Sequence, residues 1–195
     1  MLINMVLPGA VAEEPFAFEY SGNFTDNRDA DGKGTVRLNT SGTLTVLSGK
    51  ATVSAYILGG GGGGAWYQYS TTIGYAACGG SGGIQTVAVT LEPGTYEIVI
   101  GIGGSGASGV SGTYTGTNGG DTSAFGVTST GGTGGSSGYS SSTAGTGGTP
   151  NGTAGTTNRS LSNSGSIAGG SPNGGGVVNG VAQPGGDGYV ELTFI

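Results

Sequence analysis

Histidine is absent from this 195-residue chain, cysteine occurs once, at Cys78, and only 8% of residues are charged. A single cysteine forbids an intramolecular disulfide, and without imidazoles or further thiols the usual zinc and transition-metal ligand sets are nearly excluded. Five basic residues against eleven acidic leave a net charge of −6. That balance offers no cationic surface for a phosphate backbone, so nucleic acid is not an expected partner. Hydrophobic runs are also short. The opening MLINMVL stops at Pro8 without a basic flank, too brief for a signal peptide or a membrane span. No membrane insertion is expected, and residues 1–20 read as a docking arm or first strand.

Glycine is what the sequence has instead. There are 48, six before residue 59 and forty-two from Gly59 onward, where an ordinary protein carries roughly 7%. The shift at Gly59 divides the chain into the arm, leader strands over 21–58, and a glycine-rich domain over 59–195.

Apolar residues alternate with period two in several short stretches, the mark of half-buried strands. Phe16, Phe18 and Tyr20 share a face, as do Val36 and Leu38, Leu44 and Val46, and Val53, Ala55 and Ile57. Four strands are thus expected before Gly59. Val87, Val89 and Leu91, a Glu92-Pro93-Gly94 turn, then Tyr96, Ile98, Ile100 and Ile102 read as a hairpin. Val190, Leu192 and Phe194 end the chain in a strand that closes the sheet. The fold class is all-β, a small sandwich-like framework.

The tracts at roughly 59–83 and 103–187 admit two readings. One is flexible linker. The other starts from glycines every third residue, at 103, 106, 109 and 112 and again at 132, 135 and 138. Period three is the repeat of polyproline II geometry. Such helices make no internal hydrogen bonds, but a glycine stripe lets backbones approach closely enough to bond laterally. Glycine loses up to about 1 kcal/mol of backbone entropy relative to alanine, so strands must clamp the ends of these loops. The glycine period breaks too often for collagen.

Some motifs invite chemistry. Gly101, Gly103 and Gly106 follow a strand, with Asp121 downstream, as a dinucleotide fingerprint would. Residues 103–120 lack the amphipathic helix that motif must open, so no cofactor is expected. Asn27, Asp29 and Asp31 before Gly32 resemble the start of a calcium loop, but the twelfth position falls on Leu38; a tight turn capped by Asp side chains is the competing reading. Asp121 and Asp187 each follow Gly-Gly, where carboxylates more often accept backbone N–H groups than form a glycosidase pair. No catalytic residue or metal site is assigned.

The aromatics remain. Trp66, Tyr67, Tyr69 and Tyr75 cluster after the six-glycine run, and Tyr114 and Tyr139 sit within polar tracts. Either they fill grooves between glycine helices or a subunit interface, or they are stacking platforms for a receptor sugar or protein.

SGTLTV (41–46), TVSAYILGGGGGGA (52–65), PGTYEIVIGIGGSG (93–106), NGGDTSAFG (118–126) and GGDGYVELTFI (185–195) occur in that order. Together they resemble the glycine-rich domain of tail fibres, adhesins and other surface proteins of bacteriophages and prophages. The resemblance implies a non-enzymatic virion protein, a tail fibre, tail tip or adhesin. It would assemble as a homotrimer, dock to other virion proteins through the arm and touch a host surface glycan or protein. A capsid decoration or head fibre is the alternative, and a secreted glycine-rich matrix or ice-binding protein a further one. The tract from Gly131 to Gly176 is richer in Ser and Thr than a pure glycine array, and the leader is short for a complete fibre shaft.

Overall fold

The structure, a computed structural model, describes residues 14–195. The residues of the expected arm before Glu14 lie outside the described residues. The arm's last four residues are not a free extension: Ala17–Tyr20 form strand β1, with Phe16, Phe18 and Tyr20 against the core. It is followed by β2 (Phe24–Asp26), β3 (Gly34–Leu38), β4 (Gly42–Ser48) and β5 (Ala51–Leu58). Among the described residues five strands therefore precede Gly59, where four were expected. The additional one, β2, has three exposed residues and no alternation to announce it.

Beyond β5 the chain leaves the framework and returns to it. Residues 59–64 run out, β6 (Ala65–Gln68) and β7 (Ile73–Ala77) form a far hairpin, and 79–83 run back into β8 (Ile84–Leu91) and then β9 (Gly94–Ile98). A second excursion carries β10 (Ala107–Gly109) and β11 (Tyr114–Thr115) at its far end, and returns to a near hairpin of β12 (Thr122–Ala124) and β13 (Val127–Ser129). The third carries β14 (Ser136–Ser137) and β15 (Ser142–Thr143), the fourth β16 (Thr157–Ser162) and β17 (Ser166–Ile167), the fifth β18 (Val177–Val178) and β19 (Val181–Ala182). The last return enters β20 (Tyr189–Phe194). No helix occurs among the described residues, and the fold is all-β.

The framework is a sandwich. A five-stranded sheet, β2-β3-β20-β5-β8, faces a three-stranded one, β1-β4-β9. Between them lie Val36, Leu38, Val53, Ala55, Ile57, Val190 and Leu192 from the first sheet and Leu44, Val46 and Ile98 from the second. β20 closes the fold from the middle of the larger sheet, antiparallel to both β3 and β5.

The expected hairpin at Glu92-Pro93-Gly94 is instead a crossing between sheets: β8 pairs with β5, and β9 with β4. Alternation specifies which face is buried, and both strands bury theirs by facing each other across the core. Nor do Tyr96 to Ile102 share one face. The strand stops at Ile98, the Ile100 N–H donates to Ser41 Oγ at 2.8 Å, and Ile102 is 73% exposed. There the two-residue period gives way to three.

That three-residue period organises everything between the framework and the far end. Along 59–64 the N–H groups of Gly59 and Gly62 donate to Gly83 and Gly80, those of Gly60 and Gly63 to Gly120 and Thr117, and those of Gly61 and Gly64 to Gly186 and Gln183, all at 2.8–2.9 Å. The carbonyls of this run accept in turn from three other segments: Gly132 and Gly135, Gly104 and Ala107, and Gly175. One segment thus bonds to six neighbours, as a three-fold helix with radial N–H and C=O groups must. Descending residue numbers mark return segments, antiparallel to the first; ascending ones mark outward segments, parallel to it. Residues 79–83 are a second hub, donating to Thr130, Thr133, Thr153 and Gly175 and accepting from Gly59, Gly62, Gly148 and Gly170.

The glycines of these two hubs have negative φ, so they are not there for left-handed backbone. They are there because nothing else fits. A Cβ on Gly62 would lie inside the carbonyl of Thr133, and one on Gly63 inside that of Ser105. The observed three-fold runs span 101–106 and 130–135; the expected period continued through Gly109, Gly112 and Gly138, but these belong to far-end loops. A net gain of about 1 kcal/mol per hydrogen bond is close to glycine's entropic cost. The lattice is therefore held by clamping its ends in the sandwich.

Side chains complete the bonding where the lattice stops. Asp187 Oδ1 accepts from Gly103 N at 2.7 Å, Asp121 Oδ1 from Gly131 N at 2.9 Å and Asn118 Oδ1 from Gly134 N at 3.0 Å. Asn173 joins three segments, accepting from Gly82 N and donating to the carbonyls of Gly59 and Gly186.

Gly62→Ala is expected to cost at least 3 kcal/mol, on the order of a severe overpacking change, or to prevent folding. Gly186→Ala, whose Cβ would meet chiefly the Cβ of Asn173 at 3.2 Å, should stay within about 1 kcal/mol of the parent. Chemical denaturation of both variants checks the contrast.

Candidate binding surface at the far end

An outward segment of six residues rises about 19 Å at polyproline II spacing, which sets the far loops well away from the sandwich. The β6–β7 hairpin is the longest of them. Its turn is built by Ser70, whose N–H donates to the Ile73 carbonyl at 2.9 Å and whose Oγ accepts from Ile73 N at 3.1 Å.

Strand alternation splits the aromatic cluster. Trp66 turns inward, 2% exposed, against Ala76, Leu161, Val177 and Ala182. Gly74 supplies the room, since a Cβ there would strike the indole ring. Tyr67 and Tyr75, directly opposite in register, take the other face. Tyr69 stacks on Tyr75 with centroids 5.4 Å apart and planes 13° apart. Tyr139, from the loop between β14 and β15, closes the group at 5.6 Å from Tyr69 and edge-on to Tyr67 at 6.5 Å.

Four tyrosines thus form one cluster, graded from buried to open: Tyr67 is 8% exposed, Tyr75 half-buried, Tyr69 46% and Tyr139 64%. Two candidates stand outside it. Trp66 is the centre of a small apolar core, and Tyr114 covers Gly109 and donates to the Ser111 carbonyl at 2.6 Å.

Arg159 joins this surface without any motif in the sequence to mark it. Its guanidinium lies 5.4 Å from the Tyr75 centroid and donates to the Ser140 carbonyl at 3.0 Å. It therefore ties β16 to the Tyr139 loop. The available signal was its isolation, as the one cationic residue after Lys50.

This surface has aromatic faces, phenol hydroxyls and one guanidinium. It can stack and hydrogen-bond. Val110, Val178 and Val181, also on far-end loops, are exposed as well. The other residues singled out for chemistry are engaged elsewhere. Asp121 and Asp187 cap lattice N–H groups, while Asp29 Oδ1 accepts from Asp31 N and Lys33 N in the β2–β3 turn. Gly101 to Gly106 is an outward lattice segment and opens no helix. Among the described residues no three His, Cys, Asp or Glu side chains gather as a metal site.

The Tyr69 phenol titrates above its ordinary value, chiefly because the Tyr139 hydroxyl adjoins it, with Tyr75 adding to the effect. Tyr139→Phe should therefore lower the Tyr69 transition towards that of a free tyrosine. An ultraviolet pH titration checks this; an unchanged profile would dissolve the coupling.

No curated protein matches the sequence. The glycine-rich domain family matches it over residues 35–194, from β3 through every excursion to the end of β20. That span takes in the sandwich strands from β3 onward, both lattice hubs and all the far-end loops, and leaves out β1 and β2; the chain belongs to the glycine-rich domain family.

Proposed function

We propose that the protein is a non-enzymatic structural and binding module of a bacteriophage particle, a tail-fibre tip or adhesin whose far end meets the host surface. The observation that carries this reading is the tyrosine cluster. Loops from separate excursions place Tyr67, Tyr69, Tyr75 and Tyr139 together at the end remote from the sandwich. A polar chain in contact only with water has little reason to stack four rings there and leave two of them open. Aromatic faces edged with hydroxyls and an arginine suit a sugar ring or an aromatic-rich protein patch.

The division of labour also supports it. The chain enters at the sandwich, where Phe16 packs against Phe194 at 5.6 Å, so attachment through residues 1–20 would leave the far end free. The capsid-decoration alternative uses the same attachment but assigns the tyrosines no ligand.

The ice-binding alternative asks for a flat array of available hydroxyls. The clearest threonine rows are occupied with each other and with backbone. Thr133 and Thr146 lie 3.1 Å apart through their hydroxyls and Thr130 and Thr149 3.3 Å, while Thr133 Oγ1 and Thr130 Oγ1 each accept a backbone N–H at 2.7 Å.

Binding of the purified protein to host cells and to an array of their surface glycans tests the proposal. Tyr69→Ala with Tyr139→Ala should weaken binding about tenfold or more, the loss expected for contact residues worth at least about 1.4 kcal/mol, with thermal melting unchanged. Undiminished binding by that double variant, or no binding by the parent protein, would overturn it.

A further inference from the structure

A sheet edge is a row of unpaired N–H and C=O groups, and proteins that must stay apart blunt it with brevity, charge, proline or a bulge. Among the described residues the sandwich has four such edges, and three are blunted. β2 is three residues long and carries the Asp26–Arg28 ion pair at 2.7 Å. β1 has four residues and a register shift between Ala17 and Phe18. β9 has five, includes Glu97, and leads into Val99, which bridges to Ser123.

The edge formed by β8 is different. It runs eight residues, Ile84–Leu91, without a charge, a proline or a break in its register with β5. Its phase is fixed at one end. Ile84 donates its N–H to the Pro150 carbonyl at 2.6 Å and accepts from Asn151 Nδ2 at 3.2 Å, so the backbone groups of Ile84 point away from β5. By the two-residue period of a strand, those of Thr86, Ala88 and Thr90 point away too.

The segment they belong to is Thr86-Val87-Ala88-Val89-Thr90, which reads the same in both directions. An antiparallel partner of identical sequence would set Ala88 against Ala88, each Thr86 against Thr90, and each Val87 against Val89. The hydrogen-bonding phase agrees, because a two-fold axis beside Ala88 falls on a residue whose N–H and C=O both face outward. Like threonines and like valines are favourable cross-strand pairs. Val87 and Val89 are half-buried against the core, and pairing would cover them further.

We infer that β8 is a homotypic interface, at which a second copy of this chain adds antiparallel to the five-stranded sheet about a two-fold axis at Ala88. The seam covers Thr86 to Thr90, since the Pro150–Asn151 turn already occupies the outward groups of Ile84. An isologous contact of this kind closes at two copies, unlike the three-fold assembly that the sequence resemblance implies. It leaves the tyrosine surface at the far end of each copy open.

Light scattering on the eluting full-length protein, over a range of concentrations, tests the seam. The expected mass is twice 18.6 kDa, falling to 18.6 kDa in two variants. Ala88→Pro removes an N–H that β5 does not use and blocks the edge. Thr86→Lys with Thr90→Lys sets like charges opposite one another twice across the seam, and added salt should partly restore that dimer. If the proline variant fails to fold, the lysine variant decides. A monomer at every concentration, a trimer, or a dimer that survives the folded variants would overturn the inference.

Discussion

A peptide group that leaves water must be paired, and along 59–64 each successive N–H finds its acceptor in a different neighbouring segment. The rest of the architecture follows from that rotation. Three residues per turn point the bonding groups radially, so each segment requires several others around it. Five excursions, each out and back, supply them. The cost is the exclusion of side chains from the interior of the lattice, where a single Cβ would displace a carbonyl.

The apolar sandwich and the glycine lattice are therefore complementary. The sandwich buries Leu, Ile and Val side chains and provides a cooperative anchor, while the lattice buries almost none and acts as a spacer. Where the lattice meets its boundaries, Asp121, Asp187, Asn118 and Asn173 stand in for missing backbone neighbours. Asp121 and Asp187 look chemical in the sequence because carboxylates after paired glycines can act as caps or as catalysts. Their partners in the structure are lattice N–H groups.

Strand faces were legible in the sequence because alternation reports burial directly: Val190, Leu192 and Phe194 are buried as their spacing requires. Strand partners were not, as β8 and β9 demonstrate, because a buried face says nothing about which edge is bonded. Glycine spacing exposed the three-fold repeat but not its limits, since Gly109, Gly112 and Gly138 keep the spacing after the segment has become a strand or turn. The aromatic group was half legible. Trp66 and Tyr67 are adjacent in sequence and point to opposite faces, whereas Tyr139 joins Tyr69 only through the stacking of excursions, and Arg159 follows it there. No local pattern encodes that meeting.

Everything above the sandwich depends on glycines 59–64 forming an ordered, fully bonded hub. Amide hydrogen exchange measures that directly. Protection at 59–64 and 79–83 is expected to be comparable to that of the most protected strands of the sandwich, with rapid exchange at Thr71 and Thr72 in the β6–β7 turn. Exchange at the free-peptide rate across 59–64 would contradict it.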